Sequence, residues 1–143
     1  MNWTRIGKSQ CPVARALAMV GDRWTLLILR ELFVGVPRFE DIQAETGVSS
    51  HLLSMRLRKL EINGILIRKQ YSKRPVRYEY RLTAKGNDIV PILTAFIQYG
   101  IHHHADVVFK DEKPRRLETV FPERRREMLG RLARYAEKID ESP

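Results

Sequence analysis

The segment Trp24–Gly35, WTLLILRELFVG, carries Trp24, Leu26, Leu27, Ile28, Leu29, Leu32 and Phe33 around nearly its whole circumference. A helix that is apolar on all sides belongs in the middle of a core, so the rest of the chain must be arranged to cover it. Asp22 is a good N-cap for it, and Gly35 and Pro37 end it. Upstream, Pro12 suits a first helical position. Val13, Leu17 and Val20 then recur at helical spacing until Gly21 stops the run. At 143 residues the chain suits one domain, or one domain plus an appendage. The single Cys11 excludes an internal disulfide framework and fits a reducing compartment. No apolar run approaches the ~20 residues of a membrane span, and MNWTRIGKSQ lacks the pattern of a signal peptide. The expectation is a cytoplasmic protein without a membrane partner.

Charge narrows the function. The chain is formally +9, and residues 47–82 alone hold nine Lys or Arg against Glu61 and Glu79, a local net of +7. A field concentrated in this way suits a polyanion. The same stretch holds the most informative local pattern. A short helix from about Phe39 to Thr46 stops at Gly47, and Ser49 caps another that runs to about Asn63. Leu53, Leu57 and Leu60 form a narrow apolar stripe on the second helix, with Ser50, His51, Ser54 and Arg58 largely off it. Two helices joined by the tight turn Gly47-Val48-Ser49 make a helix-turn-helix.

ILIRKQY (65–71) and RYEYRLT (77–83) read as strands, with Tyr78, Tyr80 and Leu82 alternating, and Ser72–Val76 reads as the loop between them. A basic hairpin directly after a helix-turn-helix is a wing. Thr83 caps the next helix, which reaches about Asp106 and is kinked by Pro91 or restarted near Asp88. A linker and a last helix from Pro122 to Asp140 follow. The fold class is therefore mainly α with a small β-hairpin: a winged helix-turn-helix with added dimerisation helices. Residues 1–106 form the DNA-binding domain with its N-terminal and long C-terminal dimerisation helices. Residues 107–143 form the appendage.

A helix of ~10–12 Å fits the ≈ 12 Å major groove of B-DNA. Ser50, His51 and Ser54 would meet base edges, Ser49 and the helix N-terminus a phosphate, and Arg56 and Arg58 either one. Lys73, Arg74 and Arg77 of the wing would contact the backbone or the flanking minor groove. Each residue alone is ordinary: a Ser at a helix start is usually a cap, and an outward Arg is usually just solvated. The alternative to a DNA-binding regulator is a winged helix that binds RNA or acts as a protein-interaction module. No enzyme is expected, since Gly-rich phosphate loops, GxSxG and HExxH are absent. His102, His103 and His104 point ~100° apart on a helix and do not converge as metal ligands. No cofactor is expected.

CPVARALAMVGDRWTLLILRELFVGVPRFEDI, VSSHLLSMRLRKLEINGILIRKQY and PVRYEYRLTAKG together resemble the HxlR-type regulators, bacterial winged-helix proteins of MarR-like architecture. The resemblance covers about residues 8–104. It implies a homodimer on a palindromic double-stranded DNA operator, with the recognition helix at Ser49–Asn63 and the wing at Ser72–Arg77. Ser50 and Met55, both counted among the DNA-binding residues, fall where relatives vary, so the operator sequence does not carry over. A lone Cys is ordinarily a small buried apolar residue. The resemblance instead implies a redox sensor at Cys11, answering oxidants or electrophiles near the dimer interface. A small-molecule effector is the other mode of response it allows.

Overall fold

Local cap chemistry sets the helix boundaries in the structure, a computed structural model that describes residues 2–103. A short helix α1 (Trp3–Ile6), unforeseen in the sequence, is capped by the Asn2 side chain. Helix α2 (Pro12–Val20) begins with Pro at its first position and ends at Gly21. Helix α3 (Arg23–Phe33) is capped by Asp22, whose carboxylate accepts from the Thr25 amide at 3.1 Å. Helix α4 (Phe39–Thr46) closes at Gly47, whose φ of 72° places it in the left-handed region that favours glycine. Ser49 caps α5 (Ser50–Ile62) by accepting from the Leu52 amide at 3.3 Å.

Strands β1 (Leu66–Lys73) and β2 (Val76–Leu82) pair antiparallel, from Leu66 opposite Leu82 out to Lys73 opposite Val76. The connection is Arg74-Pro75 alone, shorter than the expected Ser72–Val76 loop. Pairing continues further because the register shifts between Gln70 and Ser72, which lets Ser72 and Lys73 join the ladder. Beyond Thr83 the helix does restart: α6 (Ala84–Asn87) is followed by α7 (Val90–His103). Gly86 is required there by close approach, since a Cβ would lie 2.2 Å from the Ile65 carbonyl oxygen. The expected linker and helix over 107–143 lie outside the described residues.

One apolar cluster unites these elements. Ile28, Leu29 and Leu32 of α3 meet Ile42 of α4, the Leu53, Leu57 and Leu60 stripe of α5, Ile65 and Leu66, and Leu93 of α7. The central helix is less enclosed than expected. Trp24, Leu26 and Phe33 are only partly buried against the cluster, whereas Glu31 is buried completely, with Arg30 Nε donating to its carboxylate at 2.8 Å. Val13 and Leu17 of α2 are exposed. Only Val20 of that stripe reaches the core.

Helix α5 is tied to the corner between α2 and α3 by two of its cations. Lys59 Nζ donates to the Ala18 carbonyl in the last turn of α2 at 2.8 Å, where a cation also suits the negative end of that helix. Arg56 Nε lies 3.3 Å from the Asp22 carboxylate. Burial pushes the Asp22 carboxyl up, but the Thr25 hydroxyl and amide, then the Arg56 and Lys59 charges, outweigh it and hold it below the ordinary value. Asp22 thus caps one helix and fastens another.

The Asp22→Asn variant tests the charge, because Asn caps about as well as Asp while losing the charge and the second oxygen that accepts from the Thr25 hydroxyl. A carboxyl lowered in the folded state contributes stability above its ordinary value of ~3.9, and loses it as pH falls through the folded value. Thermal melts should place Asp22→Asn below wild type at neutral pH by no more than about 1 kcal/mol. The gap should close as pH drops below ~4. A gap that ignores pH would mean that the charge is not its source.

Candidate nucleic-acid interface

The leucine stripe decides which side chains of α5 remain outside. Leu53, Leu57 and Leu60 are almost fully buried, which turns Ser50, His51, Ser54, Met55 and Arg58 outward, all of them exposed. Ser49, at the N-cap, is exposed as well. Ser50 is not free to rotate at will: Gln43 of α4 donates to its hydroxyl oxygen at 2.8 Å, linking the two helices across the turn. Arg56 departs from the expected set. It stands three residues after Leu53 and four before Leu60, so it flanks the buried stripe, and its guanidinium faces Asp22.

The hairpin presents Lys73, Arg74 and Arg77 at its exposed tip, and the Ser72 hydroxyl donates to the Pro75 carbonyl at 2.8 Å across the turn. Its base is braced from two sides. Toward α4, Tyr80 N–H donates to the Pro37 carbonyl at 2.8 Å, and Arg38 pairs with Glu79 as an isolated bridge. The Arg38 guanidinium lies 4.4 Å over the Tyr71 ring and 3.6 Å from the Glu79 carboxylate, which Arg81 also donates to at 3.3 Å. Toward α5, Arg68 lies 3.7 Å from Glu61 and 4.4 Å over the Tyr78 ring. Burial pushes the neighbouring Tyr80 phenol up.

The basic segment therefore divides. Arg56, Lys59, Arg68 and Arg81 take part in contacts within the domain. Arg58, Lys69, Lys73, Arg74 and Arg77 are exposed, with no acidic partner among the described residues. Three residues that brace this surface, Gln43, Arg68 and Tyr80, were not among the expected site residues, and Arg38 entered only as part of a motif. Alternation along the strands carried some of this signal, since Arg68 stands opposite Tyr80 and shares its face. Nothing local identifies Gln43.

Cys11 is exposed at the N-cap position of α2, which corrects the ordinary reading of a lone Cys as buried packing. Its amide donates to the Ser9 hydroxyl oxygen at 3.2 Å. His102 and His103 are exposed, with ring centroids 4.9 Å apart, and His104 lies outside the described residues. Among the described residues no group of three or more His, Cys, Asp or Glu is placed to hold a metal, and no helix is long and apolar enough to cross a membrane.

Comparison with known proteins agrees with this geometry. The sequence pattern of the HxlR-like helix-turn-helix family matches residues 19–107. An uncharacterised HTH-type transcriptional regulator of Mycobacterium bovis is 48% identical over 88 residues, which cover 62% of this chain and 56% of that protein. The chain thus spans little more than half the length of that relative. The redox regulator HypR in its reduced form superposes with a TM-score of 0.61 at 28% identity, over 64% of this chain and 92% of HypR. The reduced form of the transcriptional regulator YodB from Bacillus subtilis gives 0.54 at 31% identity, over 66% of this chain and 94% of YodB. The chain belongs to the HxlR-like helix-turn-helix family.

Proposed function

We propose that the protein binds a palindromic double-stranded DNA operator as a homodimer, reading bases with α5 and holding backbone with the hairpin. The observation that carries this reading is the division of the basic segment. Arg58 and the tip cations Lys73, Arg74 and Arg77 remain exposed beside Ser50, His51, Ser54 and Met55 of α5. Phosphate contacts by the cations set register, and the short polar side chains on the helix set sequence. Met55 adds an apolar surface suited to a thymine methyl. Affinity should fall ~10³–10⁵-fold between about 50 and 200 mM salt if the dimer makes ~6–10 phosphate contacts. Lys73→Ala should weaken binding to all duplexes, whereas His51→Ala should change the sequences recovered from a random library. Salt-independent affinity, or preference for single-stranded RNA over duplex DNA, would favour the alternative winged-helix roles.

The dimer reading rests on apolar side chains left uncovered. Trp3 of α1 is 52% exposed, Val13 and Leu17 of α2 are 66% and 47% exposed, and Phe96 and Tyr99 of α7 are 58% and 64% exposed. The α2 pair and the α7 residues Ile92, Phe96 and Tyr99 each recur at helical spacing. Packing these stripes across a two-fold axis would set two recognition helices about 34 Å apart, one turn of duplex. Sedimentation at micromolar concentration should give a dimer for wild type and a monomer for Leu17→Glu combined with Phe96→Glu. A wild-type monomer would end the reading.

Cys11 supplies the response. It is exposed and stands at the head of α2, two residues before Val13 of that stripe, and the similar structures include the redox regulator HypR in its reduced and oxidised forms. Diamide would join the Cys11 thiols of two chains as a disulfide, taking up their two electrons and two protons as its hydrazine. With a small thiol present, diamide would instead take the two electrons and two protons from that thiol and Cys11 to give a mixed disulfide, and an electrophile alone would give an adduct. Diamide should change operator affinity in wild type, and Cys11→Ser should keep basal binding while losing that change. An identical response in the Ser variant would assign the effect elsewhere.

A further inference from the structure

Between α5 and the base of the hairpin lies an open groove of about 560 Å³. Ser54, Arg58, Glu61 and Ile62 line it from the helix, and Arg68 and Tyr80 line it from the strands. Ser54, Arg58 and Ile62 follow one another at intervals of four, so they form one row along the helix. Ile62 is 75% exposed although it stands in the last position of a helix otherwise anchored by leucines.

We propose that this groove seats one sugar–phosphate strand of the duplex, held between Arg58 and Arg68, and that the phosphate displaces Glu61 from Arg68. The inference rests on the DNA-binding reading above and adds Glu61, Ile62 and Arg68 to it. A helix in the major groove and a hairpin reaching the flanking minor groove leave one place for the strand that separates the grooves: the space between helix and hairpin. The groove is open, with charge at its rim. That form suits a continuous strand better than a small ligand, which is usually enclosed. Ile62 offers an apolar contact to a deoxyribose.

The Glu61–Arg68 pair is suited to exchange. Its atoms are 3.7 Å apart and its side chains are 38% and 46% exposed, so solvent and salt already weaken it. The stacked Tyr78 ring would keep the Arg68 guanidinium in place when the carboxylate is displaced. The other acid of the basic segment, Glu79, is held at 16% exposure between Arg38 and Arg81, on the other face of the hairpin from Arg68. Glu61 is thus the acid that faces the strand, and it repels phosphate of any sequence. Its effect is to lower backbone affinity, so that base contacts decide where the protein stays.

The test uses the full chain, a fluorescein-labelled mixed-sequence duplex of about three helical turns, and anisotropy titrations over about 50–200 mM salt. Arg68→Gln should reduce the slope of log affinity against log salt by ~0.9 for each chain bound, and Arg68→Lys should restore it. Glu61→Gln should bind the same duplex severalfold more tightly than wild type. An unchanged slope in Arg68→Gln, or weaker binding by Glu61→Gln, overturns the groove assignment while leaving DNA binding intact. Failure of wild type to bind any duplex removes the underlying reading instead. Should Arg68→Gln melt below wild type, Arg68→Lys and Glu61→Gln, which keep the charge or remove only a repulsion, carry the decision.

Discussion

The domain depends on how narrowly α5 is buried. Three leucines, Leu53, Leu57 and Leu60, each at 1% exposure or less, fix this helix to the core. Truncating one to Ala would cost about 2–5 kcal/mol, a large part of a small domain's stability. A wider stripe would hold the helix more firmly but would take Ser54 and Arg58 out of solvent. A narrower one would leave the helix free to roll. A row of three large side chains at spacings of four and three holds one orientation and leaves the opposite half of the helix uncovered.

Polar contacts do what the stripe cannot, which is to fix the helix against sliding and against its neighbours. Lys59 on Ala18 and Arg56 on Asp22 fasten α5 to the end of α2 and the start of α3. Gln43 on Ser50 fastens it to α4. Each contact is partly exposed and modest in energy, so their value lies in geometry. Because α2 carries exposed Val13 and Leu17, the Lys59 contact joins α5 to the surface proposed for dimerisation, beside the core packing of Val20.

Much of this was legible because it is local. Pro12, Gly21, Asp22, Gly47, Ser49 and Thr83 stand at helix ends in the structure as cap chemistry requires, and alternation gave the hairpin face of Tyr78, Tyr80 and Leu82. Arg56 was legible in principle, since its offset from Leu53 and Leu60 puts it on the buried flank, but composition alone groups it with Arg58. How the α2 stripe divides was not legible from spacing, since Val20 reaches the core while Val13 and Leu17 stay exposed, and an apolar stripe looks the same whether its partner is the chain's own core or a second chain. Nor was the burial of Glu31, because nothing in the local sequence distinguishes it from a solvated helix acid. The short turn at Arg74-Pro75 was missed because Ser72 and Lys73 have little strand propensity, and the register shift at Gln70 and Ser72 brought them into pairing.

The distribution of acids sharpens the electrostatic argument beyond net charge. A segment of nine cations with no acids would bind any duplex strongly and discriminate poorly, because its energy would come almost entirely from phosphates. Here Glu61 and Glu79 lie beside arginines that also stack on tyrosines, Arg68 on Tyr78 and Arg38 on Tyr71. The tyrosine faces keep these guanidiniums oriented whether or not the acids hold them, so the acids can regulate charge without governing position. The hairpin thereby remains braced at its base while its tip cations, Lys73, Arg74 and Arg77, stay uncommitted. In the proposed complex, charge at the tip would act on the duplex and charge at the base on the fold, and the groove at Arg68 is where the two would meet.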